Sequence, residues 1–428
     1  MQLAMPAVPP GQAVCISGLD AGADLPAEGP LSFGQFVEVA LRHNPDLRIA
    51  EAQVEAAQGK FVQAGLYPNP TVGWQASDLG IKANAAGKQG PAFTQNIVTA
   101  DKLEIAQSAA GHGVAAADWQ AVTHWYDVMA KLRGAYFDML TAQRDVQVNR
   151  ELLAIAEDSF KAADKFAKVG AGNKPDVLRA QVELDQARNR LEVAERRADA
   201  TWRLLTTAAG LTNLPQRPLA GKLEEATPNY DFTAMQKAIL ANNSELQAAR
   251  AMIAEAEMLL RRAEVEVVPD VQLFIQPEYL FDDQRLGAQA GISVALPVFN
   301  RNQGNIRAAR AELAKAHEAL RQTELKLTSE LAAAMQRYES ARLLTQNIEE
   351  KILPNAQESL RLILLAYVNG DPKFDYTTVI QAQNVLAQAR LGYVDALGDR
   401  QRAVSDLEGL LQRDAGAFFR GAAKPPKP

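Results

Sequence analysis

The chain is expected to be mainly α-helical with a small β part, built as a tandem duplication. Two observations predict this. First, "ALRHNPDLRIAEAQVEAAQGKFVQAGLYPNPTV" can be laid without a gap on "ILANNSELQAARAMIAEAEMLLRRAEVEVVPDV", so that Asn44 meets Asn243, Leu47 meets Leu246 and Pro70 meets Pro269 at a constant offset of 199. Further on, "AQVELDQAR" at 180–188 meets "AQNVLAQAR" at 382–390, an offset of 202. Second, apolar residues recur at steps of three and four over long runs. Trp119, Val122, Tyr126, Met129, Leu132, Tyr136, Met139, Gln143 and Val146 trace one such seam.

Each copy has the same order. After an irregular segment 1–30, the first repeat (31–210) opens with a helical stretch from Phe33 to Leu66 that ends at a proline. A strand hairpin follows over 70–98, marked by "PTVGWQASDL" and "PAFTQNIV" and bounded by Gly, Pro and Asp. A long helix is expected over 102–169, a stop at "GAGNKPD", and a returning helix over 175–209. A linker at 211–230 leads to the second repeat, 231–413. There the first helix runs from Phe232 to Val268, the hairpin over 270–298, the long helix over 303–369 and the returning helix over 375–412. The stop between the last two is "NGDPKFD", and an irregular tail occupies 414–428. Pro354 is expected to kink or interrupt the second long helix, because a proline inside a helix costs about 3 kcal/mol.

Length constrains the packing of these pieces. A helix over 102–169 spans roughly 100 Å at about 1.5 Å per residue, as do two half-length helices end to end. One long helix can therefore run beside two shorter ones, with the hairpins at one end and the Gly/Pro turns at the other.

Composition excludes several function classes. Lys plus Arg number 45 against 51 Asp plus Glu, a net charge of −6, so no surface is built for a phosphate backbone and nucleic acid is not an expected partner. Aromatic residues make up 6% although the apolar fraction is 47%, a content rich in Ala and aliphatic residues that suits closely packed helices. The single cysteine, Cys15, excludes an intramolecular disulfide and a thiolate zinc site. Cys15 is also a candidate lipid anchor, although Val14 stands where a small residue is expected and no hydrophobic run precedes it. The plainer reading is a free cysteine in a loose leader. That leader has neither a basic nor an apolar region, so it does not read as a secretory signal, and an exported chain would carry its signal upstream. His43, His112, His124 and His317 share no ligand spacing, and no nucleotide, hydrolase or zinc-protease motif is present. Neither a cofactor, a metal site nor an enzyme activity is expected.

No stretch is apolar for long enough to form a membrane-spanning helix, but short alternating strands escape that test. Four strands cannot close a barrel in lipid, so spanning strands would have to be pooled among subunits. Two chains give eight strands around a filled lumen, and three give twelve with room for a channel. Trp74, Ile97, Leu273, Ile275, Val294 and Leu296 are the expected outward residues, with Gln75, Gln95, Gln272 and Ser293 facing a lumen. Soluble hairpins would read similarly, and a soluble coiled-coil scaffold is the alternative.

The order helix, hairpin, long helix, turn, helix, twice repeated, resembles the TolC-type outer-membrane efflux factors over about residues 31–413. The phrases that carry the likeness are "ALRHNPDL", "AYFDMLTAQRDV", "ALPVFNRNQGNIRAARAEL", "ILPNAQESLRLILLAYVNG" and "AQNVLAQARLGYVDAL". The phrase "AYFDMLTAQ" leans toward members serving cobalt-zinc-cadmium efflux. The resemblance implies a homotrimer in outer-membrane lipid, with a twelve-stranded β-barrel joined to an α-barrel tunnel that docks to a periplasmic adaptor and an inner-membrane pump. It also implies that the turns Gly170–Asp176 and Gly370–Asp375, with Gly170, Gly172 and Gly370, are docking tips. Family members narrow the tip with a pair of aspartates on the returning helix of the second copy. Here that pair falls on Thr378 and Gln381, a departure from the pattern. Asp371 and Asp375 stand one to two turns earlier as substitutes, and Asp176 is expected to be the first-copy equivalent. Helix capping by Asp is the competing account.

Overall fold

The computed structural model describes residues 29–79, 87–169, 172–225, 227–281, 283–369, 371 and 373–412. The first copy contains α1 (Phe33–His43), α2 (Pro45–Ala64), β1 (Thr71–Ser77), β2 (Lys88–Ile97), α3 (Lys102–Lys168) and α4 (Lys174–Ala208). The second contains α5 (Phe232–Asn242), α6 (Ser244–Val265), β3 (Val271–Leu280), β4 (Arg285–Val294), α7 (Gln303–Asn347), α8 (Leu353–Val368) and α9 (Tyr376–Leu411).

The opening helix of each copy is two helices, not the continuous stretch expected. The break falls at Asn44 in copy one and at Asn243 in copy two, the pair that the 199-residue offset superposes. Both asparagines leave the helical region, with φ −70° and ψ 122° at Asn44 and φ −62° and ψ 134° at Asn243. Pro45 disfavours the α conformation of the residue before it. In copy two, where no proline stands, the Asn243 side chain accepts from the Glu245 N–H at 2.9 Å and so caps the next helix.

Pro354 does not stop its helix. The missing N–H is absorbed in a π turn at Ile348–Ile352, where the Leu353 N–H reaches back to the Ile348 carbonyl. The helical path then continues into α8.

The four strands form one antiparallel sheet in the order β1-β2-β3-β4. The register fixes two faces, because directly opposed residues point the same way and alternate residues point oppositely. Val72 lies opposite Phe93, Phe93 opposite Ile275, and Ile275 opposite Ala290. The same face carries Trp74, Ile97, Val271, Leu273, Leu286, Ile292 and Val294. The other face carries Thr71, Gln75, Ser77, Thr94, Asn96, Gln272, Gln276, Glu278, Gln289 and Ser293. Apolar and polar residues are thus largely sorted, with Phe274 and Leu280 on the polar face and Gln89 on the apolar one as exceptions.

Gln95 corrects the expected sorting. It pairs with Leu273 and shares a face with Ile97 two residues on, so it lies among the apolar residues. Its amide donates to the carbonyls of Pro68 at 3.0 Å and Asn96 at 2.9 Å, which satisfies the donors away from any lumen. Leu296 lies beyond the end of β4. The ladder between β2 and β3 also skips residues 90–92, where the register sets Pro91 opposite Pro277 and neither has an N–H to give.

The compact packing units cut across the two repeats. Among the described residues, one comprises 29–44, 135–223 and 356–394; the other comprises 45–134, 224–355 and 395–412. In the first unit, Leu31 pairs with Leu219, and the Tyr136 hydroxyl sits against the carbonyls of Leu31 and Ala220. Phe33, Phe36, Tyr136 and Trp202 stack edge to face around this point, with centroids 5.6–6.1 Å apart. Gln143 receives the Leu219 N–H and donates to the Arg217 carbonyl, which ties the linker to α3. Farther along, small clusters such as Ala156, Leu184 and Ala187 let helices approach closely. In the second unit, Leu246, Leu327, Leu331, Tyr338, Val404 and Leu407 form a core drawn from α6, α7 and α9.

The sheet belongs wholly to the second unit and is fastened there by charge. Lys102, at the start of α3, is 2% exposed, and its ammonium donates to Asp270 at 2.7 Å just before β3. The same carboxylate accepts from the Thr99 N–H at 3.1 Å, and the Thr99 hydroxyl donates to the Pro269 carbonyl at 2.8 Å.

Candidate functional site

Both helix-to-helix turns lie in the first packing unit. Gly170, Gly370 and Cys15 fall outside the described residues. After α3, the Gly172 N–H closes on the Phe166 carbonyl at 3.0 Å. A Cβ on Gly172 would meet the Ala167 nitrogen at 3.1 Å and the Phe166 carbonyl carbon at 3.2 Å, so a larger residue there would make the neighbouring backbone give by a few tenths of an ångström. After α8, the Asp371 N–H closes on the Ala366 carbonyl at 3.1 Å, satisfying one of the helix's last carbonyls. The Asp371 side chain then accepts from the Lys373 N–H at 3.0 Å and turns the chain toward α9.

The two returning helices start in the same way. Asn173 accepts from the Asp176 N–H at 2.9 Å, and Asp375 accepts from the Thr378 N–H at 2.9 Å and its hydroxyl at 2.8 Å. Asn173 and Asp375 are 202 residues apart, as are Asp176 and Thr378, the offset of the repeat in this region. The first-copy equivalent of Asp375 is therefore Asn173 and not Asp176. Asp176 instead matches Thr378. Gln381 lies exposed on α9.

The hydrogen bonds from Thr378 hold the Asp375 carboxyl below the ordinary carboxylate range. Arg179 spans the two returning helices: it donates to the Thr377 hydroxyl at 2.8 Å and lies 3.4 Å from Asp176. Beneath these polar groups, Phe166 meets Tyr367 edge-on at 6.3 Å, and Tyr367 meets Tyr376 at 5.9 Å. Burial, with Tyr367, Asp176 and Glu183 nearby, pushes the Tyr376 hydroxyl up to about 12. Burial, Asp176 and Asp375 push Tyr367 up as well. Arg179, Thr377 and this aromatic trio were not singled out from the sequence. Their signal is there: an aromatic residue stands within one turn before the glycine of each stop, Phe166 before Gly170 and Tyr367 before Gly370.

Among the described residues no group of three or more His, Cys, Asp or Glu is placed to hold a metal ion. Nor is any described helix long and apolar enough to cross a membrane. What the chain offers a membrane is the sheet, with one apolar and one polar face and with β1 and β4 as its edges.

Known proteins share this architecture. The chain is 26% identical over 403 residues to the cobalt-zinc-cadmium resistance protein CzcC of Cupriavidus metallidurans, covering 90% of this chain and 91% of that protein. Among solved structures, the outer membrane protein VceC of Vibrio cholerae superposes with a TM-score of 0.74 at 18% identity, over 89% of this chain and 95% of VceC. CusC, described in connection with transmembrane channel formation, superposes at 0.76 with 17% identity, over 96% and 98%. The family described as outer membrane efflux protein matches residues 36–211 and 236–412, one match for each copy of the repeat. The chain thus belongs to the outer membrane efflux protein family and is a passive efflux channel of the outer membrane, not an enzyme.

Proposed function

We propose that three copies of this chain pool their strands into a twelve-stranded barrel, which serves as the exit of a tripartite pump for divalent heavy-metal cations. The observation that carries the barrel is the sorting of the sheet into an apolar face and a polar face, with β1 and β4 left as edges. Open edges are not tolerated in lipid, so β1 of one copy pairs with β4 of the next. The apolar face meets outer-membrane lipid and the polar face lines the lumen. The turns around Gly170, Gly172 and Gly370 are the end that docks to a periplasmic adaptor, through which an inner-membrane pump delivers the cargo. The metal reading follows the similarity to CzcC over nine-tenths of both chains.

Planar-bilayer recording with the mass of the detergent-solubilised particle tests this. Discrete cation-selective openings from a particle of three chains are expected. A monodisperse species that stays in solution without detergent and never conducts would replace the channel with a coiled-coil scaffold. Deleting the gene should sensitise its host to cobalt, zinc or cadmium; sensitivity to organic compounds alone would discard the metal cargo.

The aperture is proposed to lie at the paired turns, with Asp371 and Asp375 as its acids and Asp176, Thr378 and Gln381 beside them. Each turn region also holds bases, Lys174, Arg179 and Lys373; Asp176 faces Arg179 directly, and Asp375 feels the same guanidinium at longer range. The cation preference therefore rests on Asp371 and Asp375. Replacing both by Asn is expected to lower the cation-to-anion permeability ratio about two- to fivefold. An unchanged reversal potential in a salt gradient would remove them from the aperture.

A further inference from the structure

The polar face of the sheet contains two side chains whose burial is unexplained by anything they bond. Gln276 is 2% exposed and Glu278 6% exposed, both on β3 and two residues apart, hence on the same face. Oε1 of Gln276 and Oε2 of Glu278 are buried and have no hydrogen-bond partner. Both are acceptors, so what completes them must bring positive charge or a hydrogen-bond donor.

The surroundings are shaped for such a guest. The register sets Glu278 opposite Gly287 on β4, and continues to Gly90 on β2, so the carboxylate has a glycine on each side. A Cβ on Gly287 would lie 3.8 Å from the Glu278 Oε1, and one on Gly90 would strike the Pro277 carbonyl. Gln289 faces Gln276 across the β3–β4 ladder and adds a second carboxamide to the same face. The basic groups nearest along this face are Lys88 and Arg285, one row farther toward the strand ends. Each already has an acid of its own: Lys88 meets Asp78 at 3.2 Å and Arg285 meets Asp283 at 3.1 Å. Among the described residues Glu278 is left as the carboxylate without a counter-charge, beside amide oxygens, where paired prolines interrupt the ladder.

We propose that Glu278 and Gln276 form a cation site that holds a hard divalent ion through oxygen. One carboxylate, carboxamide oxygens and retained water suit ions of the manganese, magnesium and calcium kind rather than soft thiolate-seeking metals. The site stands near the β3–β4 turn, at the end of the strands away from α6. Binding is a property of the single chain; only its effect on conduction depends on the channel reading.

The test is manganese binding to the full-length protein in detergent, followed by the electron paramagnetic resonance of free Mn²⁺. Wild type should bind one more ion per chain than Glu278→Gln, while Glu278→Asp keeps the site. Loss of the sole charged ligand is expected to weaken binding by about tenfold or more. Equal binding by wild type and Glu278→Gln would overturn the site and leave a protonated carboxyl in its place. Should Glu278→Gln fail to fold, Gln276→Glu carries the test: a second carboxylate should tighten manganese binding, and an unchanged affinity overturns the proposal. In bilayers, manganese added on the hairpin side should reduce the conductance of wild type but not of Glu278→Gln. A protein that binds manganese through Glu278 and never conducts would remove the channel and leave the site standing.

Discussion

Replacing Asp270 by alanine is expected to destabilise the unit that carries the sheet by about 3–5 kcal/mol, whereas Lys102→Met should cost only about 1–2 kcal/mol. The difference comes from what each change strands. Lys102 is 2% exposed, so without Asp270 its ammonium stays buried and unpaired; Asp270 is 27% exposed, so without Lys102 its carboxylate still reaches water and the Thr99 N–H. The double variant Lys102→Met with Asp270→Asn should recover most of the loss. Denaturant unfolding of the three variants checks the order, and equal losses in the two single variants would show that the pair is solvated alike on both sides.

The same pair gives a pH dependence with a definite sign. Burial alone would raise the Asp270 carboxyl, but the hydrogen bonds from Lys102 and Thr99 outweigh it and hold the group below its ordinary value of 3.8. A carboxyl lowered on folding contributes stability above its unfolded pKa and loses it as pH falls through the folded one. The wild type should therefore lose this increment only below about pH 4, and Asp270→Asn should lack that acid limb.

Much of this was legible in the sequence because the duplication gives every element a second witness. The 199- and 202-residue offsets match the hairpins, the stops and the returning helices of the two copies. What the sequence hid were places where a side chain's meaning depends on a neighbour fixed only by folding. Asn44 and Asn243 read as one polar position on a continuous helix, yet each leaves the helical region there. Gln95 reads as a lumen residue by polarity, but strand parity binds it to Ile97, and local carbonyls absorb its donors. At the turns, the acids drew notice by charge. Capping geometry then showed that Asn173 is the partner of Asp375 and that Asp176 matches Thr378, a correspondence set by the second offset rather than by residue type.

The largest effect expected on function comes from one charge on the apolar face. Ile275 sits midway along β3 between Phe93 and Ala290, and it is 55% exposed in the single chain. In the proposed barrel that exposure is to lipid, where an arginine near the bilayer midplane costs about 2–4 kcal/mol per chain. Three copies carry the cost three times, enough to deplete the membrane-inserted trimer. Thr94→Arg is the matched control, because Thr94 lies at the same level on the polar face, opposite Thr71 and Phe274. It should insert normally and shift selectivity toward anions. The comparison isolates the side of the sheet from the disturbance of the strand, since both changes place the same residue at the same depth. Outer-membrane fractionation should find Ile275→Arg depleted and Thr94→Arg at wild-type level. Equal recovery of the two would mean that neither face meets lipid, and the sorting of the sheet would then have to serve a water-soluble assembly.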